Sequence, residues 1–468
     1  MAHFEVRQSE KLNLTSYSGL ALIGQCCQAA QVDLVIDPKF PVSQGMRTSD
    51  IVKSMIGLLS LGKSDFARWC LTAPSLRTPF EAIEPFRGDR FFKESLGLSK
   101  VPGSVWIRQR LDAKAGELRE HTDELTLRLL ESTHAPITPH KGYVCVDLDT
   151  FVMDNSDTKK EEVGRTYQGV DGYTPIAAYI GNEGWNIGLE LRAGTQHSAC
   201  ETNYFLERIF PRIQRLCCRG ESVLWRDDSG FDSVRLLFMK AQEKERWAIK
   251  GQGFDYLTKW NPRKQNKDAW VARAEAEGAF QEERPGKRVA LMKMTVTRAW
   301  QGSQRDFVLR VRVTERRIDK RGQHLLVPEV ELEGWWSSLD LPTEEIIELY
   351  KHHGTHEQFH SEFKSDLDLE RLPSGKFDTN DVIVHLASFA YNCLRLLGQL
   401  GLTGEISPIR HPAKRRRLKT VLQEIMYRAA RMIEHARKII LDFGRGVTMH
   451  ANIFMELQAL LKKAVSYG

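Results

Sequence analysis

From Leu20 to about Ala135 the apolar residues recur at helical spacing, in stretches such as "SDIVKSMIGLLSLG" and "IRQRLDAKAGELREHTDELTLRLLE", with Pro102-Gly103-Ser104 marking a turn and an N-cap. A helical amino-terminal DNA-binding region is expected over residues 1–138. A helix-turn-helix is one of the three-helix clusters that this pattern allows. After "APITPHKG" the period shortens: "YVCVDLD", "YTPIAAYIG", "WNIGLELR" and "SVLWRDD" are β-branched or aromatic runs bounded by Gly and polar residues. A helical "ETNYFLERIFPRIQRLCC" separates the third run from the fourth. Three strands, a helix and a further strand predict a mixed α/β sheet of the ribonuclease H type, its first part over 139–240. In "RVALMKMTVTRAW", "DFVLRVRVTERR" and "HLLVPEVELEG" apolar residues alternate with basic or acidic ones, which predicts an antiparallel β-rich insertion over 241–332. Helical spacing resumes at Thr343, with Glu344 and Glu345 in the first turn where the helix dipole favours them. The core's second part is expected over 333–400 and a helical basic region over 401–468.

Composition narrows the class of protein. With 468 residues and 41% hydrophobic content, the chain can bury two to four packed units. It contains no apolar run of about eighteen residues, and "MAHFEVRQSEKLNLTS" lacks the charged-then-apolar order of an export signal, so a cytoplasmic protein without a membrane partner is expected. Of eight cysteines, Cys26-Cys27 and Cys217-Cys218 are adjacent and none lies in a C-x-x-C pair, which argues for reduced thiols rather than disulfides or a thiolate zinc site. The net charge of +6 permits polyanion binding. Its densest cluster is "RHPAKRRRLK", followed by "MYRAARMIEHARK" on a helical pattern, making Lys414, Arg415, Arg416 and Arg417 candidate phosphate contacts.

The candidate chemistry lies in carboxylates. Asp147 and Asp149 are two apart on a predicted strand and share a face, whereas Asp227 and Asp228 are adjacent and point to opposite faces, so only one of the second pair can join the first. Glu357 supplies a third acid after the inserted strands. Three convergent carboxylates require hard cations, which fits a pair of Mg²⁺ ions, with Mn²⁺ able to substitute, for phosphodiester chemistry. On a helix continuous through Gly354, Tyr350, His353, Glu357 and Lys364 fall within about 60° of one another. The same stretch, "HEQFH", also fits the H-E-x-x-H zinc-peptidase pattern, with His356 and His360 as ligands and Glu357 as base. Phe363 stands where the metzincin pattern needs Gly, and "DTNDVIVHLASFAYN" offers no Glu for a thermolysin-like site. A peptidase would also leave Asp149 and Asp228 unexplained, so His356 and His360 are expected to be bystanders.

These residues resemble the DDE-type transposases of bacterial insertion sequences, whose hallmark is Tyr, two residues, Arg, three residues, Glu, six residues, Lys. Tyr350, His353, Glu357 and Lys364 match that spacing, with His353 in the Arg position. The stretches "VDLDTFVMDNSDTKKEEVGRTYQGVDGYTPIAAYIG" and "LWRDDSGFDS" resemble the branch called IS-thirteen-eighty. The resemblance implies a catalytic set of Asp149, Asp228 and Glu357, with Asp147 as runner-up for the first position, holding two Mg²⁺ ions. It implies a ribonuclease H-like core interrupted by a β insertion, in which Trp300 or Trp247 could stack on a displaced base, although a core role is the better expectation for each. It implies phosphate positioning by Tyr350, His353 and Lys364. The implied activity is cutting double-stranded DNA at the terminal inverted repeats of a mobile element and joining the 3′ ends to target DNA, by a homodimer in a synaptic complex. A non-catalytic DNA-binding descendant of such an enzyme is the alternative.

Overall fold

The computed structural model describes residues 12–62, 79–217, 220–319, 321–405, 407–436 and 438–467. Cys218 and the amino-terminal stretch before Leu12 lie outside them. A short strand β1 (Leu14–Thr15) precedes helices α1 (Leu20–Ala29), α2 (Val32–Ile36), α3 (Thr48–Ser60), α4 (Arg90–Ser95) and α5 (Ser104–Ser132). Along α5 the residues Ile107, Leu111, Ala115, Leu118, Leu125 and Leu129 form one buried stripe at helical spacing. Every residue of α3 is buried, including Asp50 and Lys53. A helix enclosed on all sides presents no face to a DNA groove, so α3 is not the recognition element of a helix-turn-helix.

The next part builds the sheet. Strands β2 (Tyr143–Thr150), β3 (Met153–Asp154), β4 (Gly164–Arg165), β5 (Asp171–Tyr173), β6 (Ile176–Ile180) and β7 (Trp185–Glu190) are followed by α6 (Thr202–Leu216), β8 (Ser222–Asp227), α7 (Val234–Ile249) and β9 (Phe254–Lys259). Then come α8 (Lys267–Ala276), β10 (Phe280–Arg284), β11 (Lys287–Trp300), β12 (Ser303–Ile318) and β13 (His324–Ser337). The large sheet has the order β10-β11-β12-β13-β9-β8-β2-β6-β7. Strand β2 is antiparallel to β6 and parallel to β8, which is itself parallel to β9.

That pairing continues past residue 241, the boundary expected for a β-rich insertion. Helix α7 is a crossover that returns the chain to lay β9 beside β8, so the run of parallel strands extends through Lys259. Nor is the insertion a detached sheet. Trp335, Trp336 and Ser337 of β13 pair with Lys259, Thr258 and Leu257 of β9, which carries the long meander onto the core's edge.

After β13 the chain forms α9 (Thr343–Lys351), a 3₁₀ turn over His352–Thr355, α10 (His356–Ser361) and a π turn over Glu362–Asp366. Helix α11 (Phe377–Leu402) follows, buried without a break from Thr379 to Gly398 and packed against α3, α5 and β7. It ties the amino-terminal helices to the sheet through polar contacts as well as apolar ones. Asp381 accepts the Leu191 N–H at 2.8 Å and Asn392 exchanges hydrogen bonds with the backbone of Asn186.

The chain ends with α12 (Leu418–Val421), β14 (Ala430–His435), β15 (Lys438–Asp442) and α13 (Thr448–Tyr467). The helix expected over "MYRAARMIEHARK" is therefore a β-hairpin. Ala430 and Met432 point inward at a spacing of two, Leu14 and Thr15 add a third strand, and Ala436 takes a φ of 48° at the turn. No helix among the described residues is long and apolar enough to cross a membrane.

Candidate metal site at the ends of β2 and β8

Because β2 and β8 are parallel and Leu148 sits opposite Asp227, both strands finish at the same edge of the sheet. The acids there have different fates. Asp147 is buried and takes a two-pronged salt bridge from Arg226, with Nε to Oδ1 at 2.7 Å and Nη2 to Oδ2 at 2.8 Å. His353 Nδ1 adds a contact of 2.8 Å to the same Oδ1. Burial pushes the Asp147 carboxyl up, but the Arg226 charge more than offsets it and leaves the pKa well below the usual carboxylate range. Fully engaged in this way, Asp147 is a structural acid. Asp227, on the opposite face, accepts from Trp225 Nε1 at 2.7 Å and from the buried Lys240 ammonium at 2.8 Å.

That leaves Asp149 and Asp228. Asp149 Oδ1 accepts the Thr150 N–H at 2.7 Å, while Oδ2 lies 2.5 Å from His356 Nε2 and 3.9 Å from His360 Nδ1. Asp228 caps the 3₁₀ turn Ser229–Phe231, accepting the Gly230 N–H at 2.9 Å. Burial first, and then the Asp149 charge, raise the Asp228 carboxyl to about 7. For Asp149, burial acts upward but the hydrogen bond and charge of His356 prevail, so its pKa is lowered. His356 rises correspondingly, Asp149 outweighing the effect of burial. Burial drives His360 down to about 3, which keeps that imidazole neutral.

The position of Asp228 has a measurable consequence. A carboxyl raised on folding favours the folded state below its unfolded pKa, and that contribution disappears as pH rises through the folded value. Metal-free wild type is expected to lose thermal stability relative to Asp228→Asn as pH increases from 3.8 to about 7. Unfolding midpoints of the two proteins in EDTA across that range check this, and a difference independent of pH would contradict it.

Helix α10 is set against the sheet by a close approach at the β6–β7 turn. Gly184 has a φ of 72°, and a Cβ there would lie 2.1 Å from the Phe359 ring. With α10 seated in this way, His356 and His360 are buried and face Asp149, while Glu357 is exposed to solvent and takes no part in those contacts. The two histidines, expected to be bystanders, therefore lie against Asp149 where Glu357 was expected. The helical wheel that grouped Glu357 with Tyr350, His353 and Lys364 assumed a continuous helix, whereas the segment passes from α-helix to a 3₁₀ turn at His352 and to a π turn at Glu362, and each change shifts the angular phase.

The other expected phosphate contacts divide. Tyr350 donates from its hydroxyl to the Asp227 carbonyl at 3.4 Å; burial, then Asp228, Asp227, Asp149 and Asp147, raise its pKa. Lys364 donates to the Val152 carbonyl at 3.2 Å, three residues beyond Asp149. His353 is buried on Asp147, so it does not reach a phosphate in this arrangement. In the basic run, Arg416 is buried on the Leu402 carbonyl, Arg417 pairs with Asp366, and Arg415 holds the Asn182 carbonyl and lies over the Phe359 ring. Arg415 and Arg417 tie the carboxy-terminal segment to the site helix and the π turn after it, although Arg417, like Lys414, stays exposed, and the Lys414 carbonyl accepts from Gln399. Trp247 is a core residue whose Nε1 donates to Glu243, and Trp300 packs partly buried at the end of β11.

Tyr167 was not anticipated. Although the side chain is largely exposed, desolvation of the phenol and then the charges of Asp149 and Asp228 push it up to about 12, and its hydroxyl lies 3.5 Å from the Thr150 carbonyl. Its sequence context, a loop Tyr between Gly residues, carries no periodic signal. The histidines did carry one, their spacing of four on a helix.

A family model described as "Transposase DDE domain group 1" matches residues 83–466. No curated protein matches the chain. Among solved structures, a cryo-EM structure of the piggyBac transposase synaptic complex with hairpin DNA is similar, with a TM-score of 0.38 and 10% identity, over 96% of this chain and 82% of that one. A likeness that distant carries no argument about the site.

Proposed function

Because the chain belongs to the transposase DDE domain group 1 family, we propose that it binds the terminal inverted repeats of an insertion sequence, cleaves the DNA there and joins the 3′ ends to target DNA. The observation that carries this reading is the pairing of Asp149 with Asp228 at adjacent strand ends, where the second carboxyl is raised to about 7 by burial and by the first. Two acids so placed repel each other unless a cation lies between them, which is the fit expected of a metal-dependent phosphoryl-transfer site. The strand order β7-β6-β2-β8-β9 supports a ribonuclease H-like core. The ordered motifs around Asp149, Asp228 and Glu357 support the IS-thirteen-eighty-like branch.

Asp149, Asp228 and Glu357 would hold two Mg²⁺ ions, which when bound activate water or a 3′-OH and stabilise the leaving oxygen. The chain's own groups prepare that chemistry. The Thr150 and Gly230 N–H groups orient Asp149 and Asp228, and the Tyr350 hydroxyl and Lys364 ammonium stand beside the strand ends as donors for phosphate oxygens. Glu357 is exposed and makes no contact with either acid in this arrangement, so its place in the ligand set requires α10 to shift. Lys414 contributes non-specific affinity that falls with salt. Cutting both element ends together calls for two copies of the chain in a synaptic complex, and the protein is taken to reside with bacterial DNA in the cytoplasm.

The test is strand cleavage of DNA carrying the element's ends under Mg²⁺. Glu357→Ala is expected to abolish cleavage while leaving DNA binding intact. Full cleavage by that variant overturns the ligand set, and DNA binding without cleavage by the wild type marks a non-catalytic descendant.

A further inference from the structure

The two buried histidines of α10 have no role in a site made only of carboxylates, yet they are the groups that meet Asp149. His356 Nε2, His360 Nδ1 and Asp149 Oδ2 belong to a cluster whose ligand atoms lie within 4.8 Å of one another. The His356 ring is oriented by its other nitrogen: Nδ1 donates to the His353 carbonyl, while Nε2 meets the Asp149 carboxylate and becomes the ligand atom when a metal ion displaces its proton. His360 is 6% exposed, its Nε2 has no hydrogen-bond partner among the described residues, and its ring stacks on Phe151 with centroids 4.4 Å apart. The nitrogen that faces Asp149 is Nδ1, whose 3.9 Å separation from Oδ2 is too long for a hydrogen bond and leaves room for a cation between the two.

We infer that Asp149, His356 and His360 form a two-histidine, one-carboxylate site that takes a first-row transition-metal dication of the Zn²⁺, Co²⁺ and Ni²⁺ class in preference to Mg²⁺. The inference rests on the proposed role of Asp149 as a metal ligand and specifies the metal chemistry available at that site. Tetrahedral bonds of about 2.0–2.1 Å place neighbouring ligand atoms roughly 3.3 Å apart. The two separations, 2.5 Å and 3.9 Å, lie on either side of that value, so the Asp149 oxygen needs to move by under an ångström relative to each ring. Mg²⁺ demands oxygen donors in an octahedron, whereas imidazole nitrogen favours the later metals. The backbone hydrogen bond on His356 Nδ1 is the kind of outer contact that fixes a ligating imidazole. A Zn²⁺ ion held here competes with Mg²⁺ for Asp149.

The experiment is titration of the full chain with Co²⁺, followed by visible absorption, and with Zn²⁺ by equilibrium dialysis. Wild type is expected to bind one ion per chain, with ligand-field bands of a low-coordinate nitrogen-containing site and a midpoint shift on thermal unfolding that equimolar Mg²⁺ does not produce. His360→Ala and His356→Ala should each weaken binding by more than the roughly 10–100-fold typical of outer-contact changes, while Glu357→Ala retains it. Wild type binding Co²⁺ no more tightly than Mg²⁺, or a folded His360→Ala binding as wild type, overturns the inference. The wild-type spectrum decides the matter even if the alanine variants do not fold. Loss of Mg²⁺-dependent cleavage in Glu357→Ala combined with no Co²⁺ site defeats this inference alone. A Co²⁺ site in a protein whose Glu357→Ala variant cleaves normally defeats the proposed carboxylate triad and leaves this site standing.

Discussion

Asp228→Ala is expected to lower Mg²⁺-dependent strand cleavage by roughly 10³-fold or more without destabilising the metal-free protein by more than about 1 kcal/mol. The first number follows from removing one ligand of a charge-stabilising metal, a contribution of several kcal/mol at about 1.4 kcal/mol per decade of rate. The second follows from the site's electrostatics. Losing the cap to Gly230 costs about 1 kcal/mol, but the change also removes a carboxylate that burial and Asp149 already disfavour. Stability and activity are therefore separated at this residue. Single-turnover cleavage and thermal unfolding of the same preparation measure the two effects, and a variant that still cleaves at the wild-type rate removes Asp228 from the site. The neighbouring Asp227→Ala makes a sharp contrast: it strands the fully buried Lys240 ammonium and should act chiefly on folding.

Arg226→Ala is expected to destabilise the protein by about 3–5 kcal/mol, the usual result of removing one partner of a buried ion pair. The Arg226 guanidinium holds both oxygens of Asp147 on the next strand and also donates to the Leu349 carbonyl at 2.7 Å, so it links β2, β8 and α9. Without it, Asp147 keeps only His353 among the described residues. A lowered midpoint in chemical denaturation, together with weaker cleavage because α9 leads into the site helix, is the expected pattern. A midpoint within about 1 kcal/mol of wild type would mean that this pair does not hold the strand ends together. The contrast with Asp228 gives the two neighbouring acids opposite signatures: loss at Asp147's partner unfolds, whereas loss at Asp228 disables.

Much of this division could be read along the chain. Strand alternation places Asp147 and Asp149 on one face and separates Asp227 from Asp228, and the structure keeps that arrangement. Alternation cannot tell which same-face acid is engaged. That was settled by Arg226, which lies opposite Asp147 across the β2–β8 pairing. The basic run shows a similar limit. Its charge was evident, but whether a guanidinium meets solvent or a carbonyl depends on partners such as Leu402 and Asp366, well separated from it in sequence.

Read on its own, the chain places the strands from Tyr143 to Asp227, the long meander, the helix beginning at Thr343 and the shared face of Asp147 and Asp149. Each follows from local periodicity of two or 3.6 residues. Tertiary structure alone decided that β9 joins the core, that residues 430–442 form a hairpin closed by β1, and that His356 and His360 rather than Glu357 meet Asp149. Strand partnership is a long-range choice that no short window contains. The phase of α10 is set by the 3₁₀ turn before it, the π turn after it and the seat that Gly184 leaves for Phe359. A rotation of one residue's arc, fixed by that packing, determines which side chain faces Asp149.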